Sequence, residues 1–162
     1  MEKNLDKIKK LAQQKEEKNQ ELRLFLKGTD HYKIDKIVHE LNQKYLLLYD
    51  CRECANCCKE LAPALTQEEK VKIAEYLGMS NEKFESNYIE RKTPVGYLLK
   101  GSECPFLDNN ICSIYKCRPE VCSSYPHLHK DNINNRLLSI IDNSHICPIV
   151  YNVLEDLENI LR

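Results

Sequence analysis

Cys51-Arg52-Glu53-Cys54-Ala55-Asn56-Cys57-Cys58 places four cysteines within eight residues, in the pattern C-x-x-C-x-x-C-C. A two-residue gap lets consecutive thiolates turn toward a common point, so each C-x-x-C is half of a site for a thiophilic metal. The doubled Cys57-Cys58 adds a constraint. Adjacent side chains diverge, most clearly in extended backbone. The pair therefore more naturally faces two metals, or one metal and one neighbour, than a single tetrahedral ion. Residues 51–63 are expected to be mostly loop, folded around that site.

Upstream, Ile34, Val38, Leu41, Tyr45 and Leu48 are spaced by four, three, four and three, which predicts an amphipathic helix over residues 31–49. Asp30 is its predicted cap. Residues 1–27 read as one charged helix. Leu5, Ile8, Leu11 and Ala12 form a stripe near its start, and Leu22, Phe25 and Leu26 form another near its end. The polar run from Gln13 to Glu21 interrupts the stripe, so the helix packs at its two ends or serves as a partner-binding arm. Gly28 suits the left-handed residue that follows a helix.

Downstream, Thr66-Gln67-Glu68-Glu69 is a capping box, opening a helix that stops at Gly78. A second helix starts at Ser80 or Asn81 and runs through Phe84, Tyr88 and Ile89. Beyond Pro94 come short apolar segments, with a hairpin predicted at Asp108-Asn109-Asn110. Pro119 suits the first turn of a helix holding Cys122. Residues 136–142 alternate loosely and read as a strand, and Pro148 opens a last amphipathic helix. The fold class expected is mainly α with a small β-hairpin, an irregular α+β domain stapled by metal. Residues 1–49 are read as a helical extension and residues 50–162 as the cysteine-cluster domain.

The chain has 162 residues, nine cysteines, no tryptophan and three phenylalanines. Its oily core is therefore modest and open to reinforcement by metal. A net charge of −1 gives no electrostatic reason to expect nucleic acid or anionic lipid as partner. The first residues lack the apolar core of a signal peptide, and no run approaches the roughly 20 apolar residues of a membrane span. The expected setting is cytoplasmic, where thiols stay reduced and metal chemistry outweighs disulfides. Four glycines leave no phosphate loop.

A second group of cysteines reads Cys104-Pro105-Phe106-Leu107, Cys112-Ser113-Ile114-Tyr115, Arg118-Pro119-Glu120-Val121-Cys122, Tyr125-Pro126 and Cys147-Pro148. Together with C-x-x-C-x-x-C-C this order resembles the cysteine-cluster family of zinc- or iron-chelating domains. That family includes YkgJ-like proteins, and a related segment occurs in flagellin lysine N-methylases. The resemblance runs from Cys51 to Cys147, about 60% of the chain. It implies Cys51, Cys54, Cys57, Cys58, Cys104, Cys112, Cys122 and Cys147 as metal ligands, a count that completes two four-thiolate sites. Cys117 falls where the family pattern has no cysteine and is expected to be a free thiol.

Zinc and an iron–sulfur cluster both fit, in one or two centres. Zinc favours tetrahedral sets built from C-x-x-C pairs. Cys51, Cys54 and Cys57 match the first three ligands of the bacterial ferredoxin run, whose remaining ligand is a remote cysteine before proline. Cys104-Pro105 and Cys147-Pro148 both have that form. His127, His129 and His145 stand near cysteines, yet the thiols already suffice in number. Arg118 is expected to screen thiolate charge or bond carbonyls, with carboxylate or phosphate recognition as the alternative. Tyr115 and Tyr125 are expected to cover the metal. Three functional readings follow: a metal chelator, an iron–sulfur-dependent protein-modifying enzyme or electron carrier, and a zinc-stabilised module docking a protein partner through its N-terminal helices.

Overall fold

The structure, a computed structural model, describes residues 1–162. Its first half runs α1 Leu5–Gln14, α2 Glu16–Lys27, α3 His31–Leu48, α4 Cys51–Cys54, α5 Asn56–Glu60, β1 Ala64–Leu65, α6 Gln67–Tyr76 and α7 Asn81–Tyr88. The strands β2 Ile89–Thr93, β3 Gly96–Leu99, β4 Leu107–Asp108 and β5 Ile111–Cys112 follow, and α8 Glu120–Ser123, α9 Leu137–Ser144 and α10 Pro148–Leu161 end the chain. The class is mainly α with a small amount of β, as the sequence predicts. No helix is long and apolar enough to cross a membrane. The chain divides into two compact units, one of residues 1–50 with 126–162, the other of residues 51–125.

The helical unit is built on α10. Ile149, Val150, Val153, Leu154 and Leu157 are buried there, as are Ile34, Val38, Leu41 and Tyr45 on α3. The four-three spacing read from α3 is thus its core face, and Asp30 caps it by accepting from the Tyr32 N–H at 3.1 Å. Asp35, buried on the same helix, accepts from the Asn132 and Ile133 N–H groups at 2.8 and 2.9 Å. That carboxylate fixes the start of a 3₁₀ turn at Ile133–Arg136 leading into α9.

Three sequence expectations are corrected here. Residues 1–27 form two helices, because the backbone departs from helical ψ at Lys15. The Lys15 ammonium, in the polar run, pairs with Glu155 on α10. Gly28 ends α2 with φ −91°, so it is not the left-handed residue predicted. Residues 136–142 are helical. Leu137, Ile140, Ile141 and Ser144 are buried at helical spacing, and that period outweighs the loose alternation.

In the second unit the Thr66 capping box forms as predicted, and Glu69 does more than close it. One carboxylate oxygen accepts from the Thr66 N–H at 2.9 Å and the other from the Glu120 N–H at 2.7 Å. A single side chain thus ties the start of α6 to the start of α8. Gly78, at φ 67°, ends the α6 region, and Ser80 caps α7 by accepting from Lys83 N–H.

The strands from Ile89 to Leu99 were not anticipated. They form an antiparallel sheet in the order β1-β3-β2, with Ala64 opposite Leu98 and Thr93 opposite Gly96. Gly96 has φ 131°, and a Cβ there would collide with the Leu65 carbonyl oxygen. The core holds Leu65, Ile73, Phe84, Leu99, Phe106 and Ile114. Phe106 stacks on Phe84 at 6.2 Å and meets Tyr88 at 4.9 Å between ring centroids.

Asp156 on α10 gives the helical unit an acid-sensitive contact. Partial burial opposes its charge. The Tyr45 hydroxyl at 2.7 Å and the Lys44 ammonium at 3.0 Å outweigh that and hold the carboxyl below its ordinary value of 3.8. A depressed carboxyl stabilises the fold above its unfolded pKa and loses that contribution as pH falls through the folded value. Asp156→Asn is therefore expected to lose about 1 kcal/mol at pH 7 and much less near pH 3, in denaturant titrations at both. An equal loss at the two pH values would contradict the assignment.

Candidate metal centre

The C-x-x-C-x-x-C-C stretch is not the loop that was expected. It folds as two short helical turns, α4 and α5, joined at Ala55. The Ala55 N–H bonds the Cys51 carbonyl at 2.9 Å, closing the first turn, and its own carbonyl accepts from Cys58 N–H at 3.0 Å, opening the second. Ala55 itself is buried at φ 50°, a left-handed conformation that costs a residue with a Cβ about 1 kcal/mol. The break divides the motif into Cys51 with Cys54 on one turn and Cys57 with Cys58 on the next. Helical turns serve this spacing because residues three apart share a face.

The remote cysteines are brought to Cys58 by backbone contacts. The Cys58 carbonyl accepts from the Cys104 N–H at 2.9 Å. Cys112 closes the β4–β5 hairpin opposite Leu107, as the Asp-Asn-Asn turn predicts. Asn109 and Asn110 both take positive φ, at 48° and 64°, as a tight two-residue hairpin requires. Cys122 rides on α8, where Pro119 occupies the cap position rather than the first turn. Cys104 and Cys112 pack half-buried against the apolar core, while Cys117 lies within it.

Amide groups point at the sulfurs in a recurring way. The Cys54 Sγ accepts from the Asn56 N–H at 3.4 Å, Cys104 from Phe106 and Leu107, and Cys112 from Ile114. Each of the three thus receives a donor from the residue two positions on. Such donors favour the thiolate over the thiol, whether or not a metal is bound. In the sequence the repeated Cys-x-apolar pattern of Cys104-Pro105-Phe106 and Cys112-Ser113-Ile114 marks these amides.

The charge of Cys58 bears on Cys104, Cys112 and Cys122, and Cys104 and Cys112 bear on Cys122 in turn. The Cys57 thiol donates to Cys58, which outweighs burial and, with help from Arg118 and Lys59, brings Cys58 down to about 7. Burial and then the charges of Cys104, Cys58 and Cys112 push Cys122 up to about 12, against the pull of Arg118. Burial also raises Cys104 and Cys112. Arg118 lies over the Tyr115 ring, its guanidinium carbon 4.0 Å from the ring centroid.

The four sulfurs are neighbours without being closed around a point: no three His, Cys, Asp or Glu side chains stand at the separations of a coordination shell. The chemistry of the donor set nevertheless fits a soft ion: four thiols, amide donors to sulfur and one fixed cation. Cys51 is exposed and Cys54 half-buried. Cys147 lies buried in the helical unit, at the cap of α10. His127, His129 and His145 belong to that unit too.

A family model described as CxxCxxCC, "Putative zinc- or iron-chelating domain", matches residues 50–148, more than half of the chain. The chain belongs to the CxxCxxCC family. The matched span contains every cysteine the resemblance points to, and the domain is a metal-chelating one. No significant match was found among curated proteins or solved structures.

The CxxCxxCC domain should show its electrostatic asymmetry in thiol reactivity. With a pKa near 7, Cys58 is about half ionised at pH 7, whereas at about 12 the Cys122 thiolate is about 10⁻⁵ of the total. In reduced, metal-free protein, Cys58 is expected to alkylate with iodoacetamide well before Cys122, Cys104 or Cys112, read by peptide mass spectrometry. Equal rates at Cys58 and Cys122 would contradict this arrangement.

Proposed function

We propose that this protein chelates zinc or iron through a four-thiolate centre made of Cys58, Cys104, Cys112 and Cys122. The observation that carries the reading is the gathering of these four thiols: the charges of Cys104, Cys58 and Cys112 all bear on Cys122, and backbone amides donate to Cys104 and Cys112. Metal binding displaces the protons that partial burial and the neighbouring negative charge otherwise hold on the half-buried thiols. Side-chain rotation from backbones already joined by the Cys58–Cys104 hydrogen bond would close the set. Cys51, Cys54 and Cys57 remain in the same unit for a second metal, and loading both centres would part Cys57 from Cys58, to which its thiol now donates. A reducing, cytoplasmic setting keeps such thiols available.

A second reading rests on the exposure of Cys51. A zinc or cluster iron held only by Cys51, Cys54 and Cys57 keeps a coordination position open to a substrate, the arrangement of a catalytic site. An iron–sulfur-dependent protein-modifying enzyme, as the likeness to the cysteine-rich segment of flagellin lysine N-methylases implies, would use that position.

Metal and acid-labile sulfide should be quantified per chain in anaerobically purified protein. One or two zinc ions, or iron with sulfide, are expected. Cys58→Ser and Cys112→Ser should each lose about one centre, while Cys117→Ser keeps the full content. Wild-type protein free of both metals, or Cys58→Ser with undiminished metal, would overturn the proposal.

A further inference from the structure

We infer that Ala55 is a positioning residue of the metal centre: its left-handed backbone takes Cys58 out of line with Cys51 and Cys54 and delivers it to Cys104. This deepens, and rests on, the reading of Cys58, Cys104, Cys112 and Cys122 as ligands, with Cys51, Cys54 and Cys57 left to a second metal.

The arrangement that Ala55 prevents can be read from the spacing. Cys51, Cys54 and Cys58 stand three and then four residues apart. In an unbroken α-helix residues so spaced share one face. A straight helix from Cys51 to Glu60 would therefore line up these three thiols as one set. The chain instead leaves the helical region at Ala55, with φ 50° and ψ 16°, and starts again as α5 at Asn56. One residue of opposite hand resets the direction of the second turn.

Hydrogen bonds on both sides hold this reversal. The Ala55 N–H reaches the Cys51 carbonyl at 2.9 Å, and the Ala55 carbonyl accepts from the Cys58 N–H at 3.0 Å. The next amide, that of Asn56, donates to the Cys54 Sγ at 3.4 Å. Three residues past the reversal, the Cys58 carbonyl accepts from the Cys104 N–H at 2.9 Å. The break thus turns an amide onto a sulfur of the first pair and fastens Cys58 to the remote group.

The other residues besides glycine with positive φ are Asn109, Asn110, His127 and Asn132. Asparagine and histidine are enriched in this conformation. Alanine has no polar side chain to bond locally there, so Ala55 is the exception. A residue held in a sparsely populated region persists only where its surroundings over-determine it, and such residues gather at functional sites. Here the surroundings are cysteines on both sides.

The test uses the full chain, reduced and metal-free, titrated with Co²⁺ and followed by its thiolate-to-metal charge-transfer absorption, with Zn²⁺ competition giving relative affinity. Zinc-loaded protein is also alkylated with iodoacetamide and mapped by peptide mass spectrometry. Ala55→Gly keeps the left-handed conformation accessible, whereas Ala55→Val opposes it, since a β-branched residue is an outlier there. Ala55→Gly is expected to take up as much Co²⁺ per chain as wild type, with Cys58 protected by zinc. Ala55→Val is expected to bind roughly tenfold more weakly or worse, the scale set by the cost of a left-handed residue. Its Cys58 should lose zinc protection before Cys104, Cys112 or Cys122.

Wild-type affinity in Ala55→Val would overturn the inference, and so would loss of Cys58 protection in Ala55→Gly. A lowered melting temperature in metal-free Ala55→Val, with zinc protection of Cys58 intact, would mean a merely structural role and would also overturn it. If Ala55→Val does not fold, the backbone chemical shifts of Ala55 in zinc-loaded wild-type protein decide. A left-handed φ supports the inference and a right-handed one overturns it. Wild-type protein that takes up no Co²⁺ would overturn the four-thiolate centre, and this inference with it.

Discussion

Burial and like charge set the terms for Cys58, Cys104, Cys112 and Cys122. One thiol among them ionises readily, because Cys57 donates to it, and its negative charge then raises the proton affinity of the other three. Four thiolates so close are unstable without compensating positive charge. In the proposed centre a bound metal would supply most of that charge, and the backbone amides that donate to Cys104 and Cys112 would add to it. The local fold is arranged around this one conflict between a negative donor set and a poorly hydrated place.

The scaffold that imposes the conflict is small. Phe84, Tyr88 and Phe106 meet as an aromatic cluster beside Leu65, Ile73 and Leu99, and Cys104 and Cys112 pack against it on short, tightly turned segments. Ser113 bonds the Phe106 carbonyl through both its N–H and its hydroxyl, at 2.8 and 3.0 Å, so the hairpin carrying Cys112 is fastened to the residue that stacks in the core. Glu69 does the equivalent for α8 and Cys122. Each remote cysteine is thereby anchored a few residues away by a contact that needs no metal. A site pre-positioned in this way loses less conformational entropy on loading than a wholly disordered loop would.

Patterns local in sequence carried much of this. The capping box at Thr66, the cap at Asp30, the asparagine turn beside Cys112 and the helix opened by Pro148 each follow from the chemistry of a few neighbouring residues, and the structure has all of them. The misreadings arose where a longer-range interaction decides. Residues 136–142 alternate just enough to suggest a strand, but burial at Leu137, Ile140, Ile141 and Ser144 follows the helical period. The left-handed Ala55 has no signature at all, since alanine is a poor choice for that conformation, and so the two turns of the cysteine stretch were not visible beforehand. The sheet of β1, β2 and β3 escaped notice because Ile89–Thr93 is mostly charged and exposed. At the site, spacing alone predicts that Cys57 and Cys58 diverge, whereas the Cys57 thiol donates to Cys58. It could not say that Cys58 is the one tied to Cys104, since that bond spans 46 residues and depends on folding of the segment between them.

The central claim is that sulfur from this cluster forms the metal's inner shell. The most direct measurement is X-ray absorption at the zinc and iron edges of freshly purified, reduced protein. The account predicts a first shell of about four sulfurs, near 2.3 Å for zinc, with a shorter-range iron–iron scatterer if the centre is a cluster. A first shell of oxygen and nitrogen, or no bound metal at either edge, would contradict it.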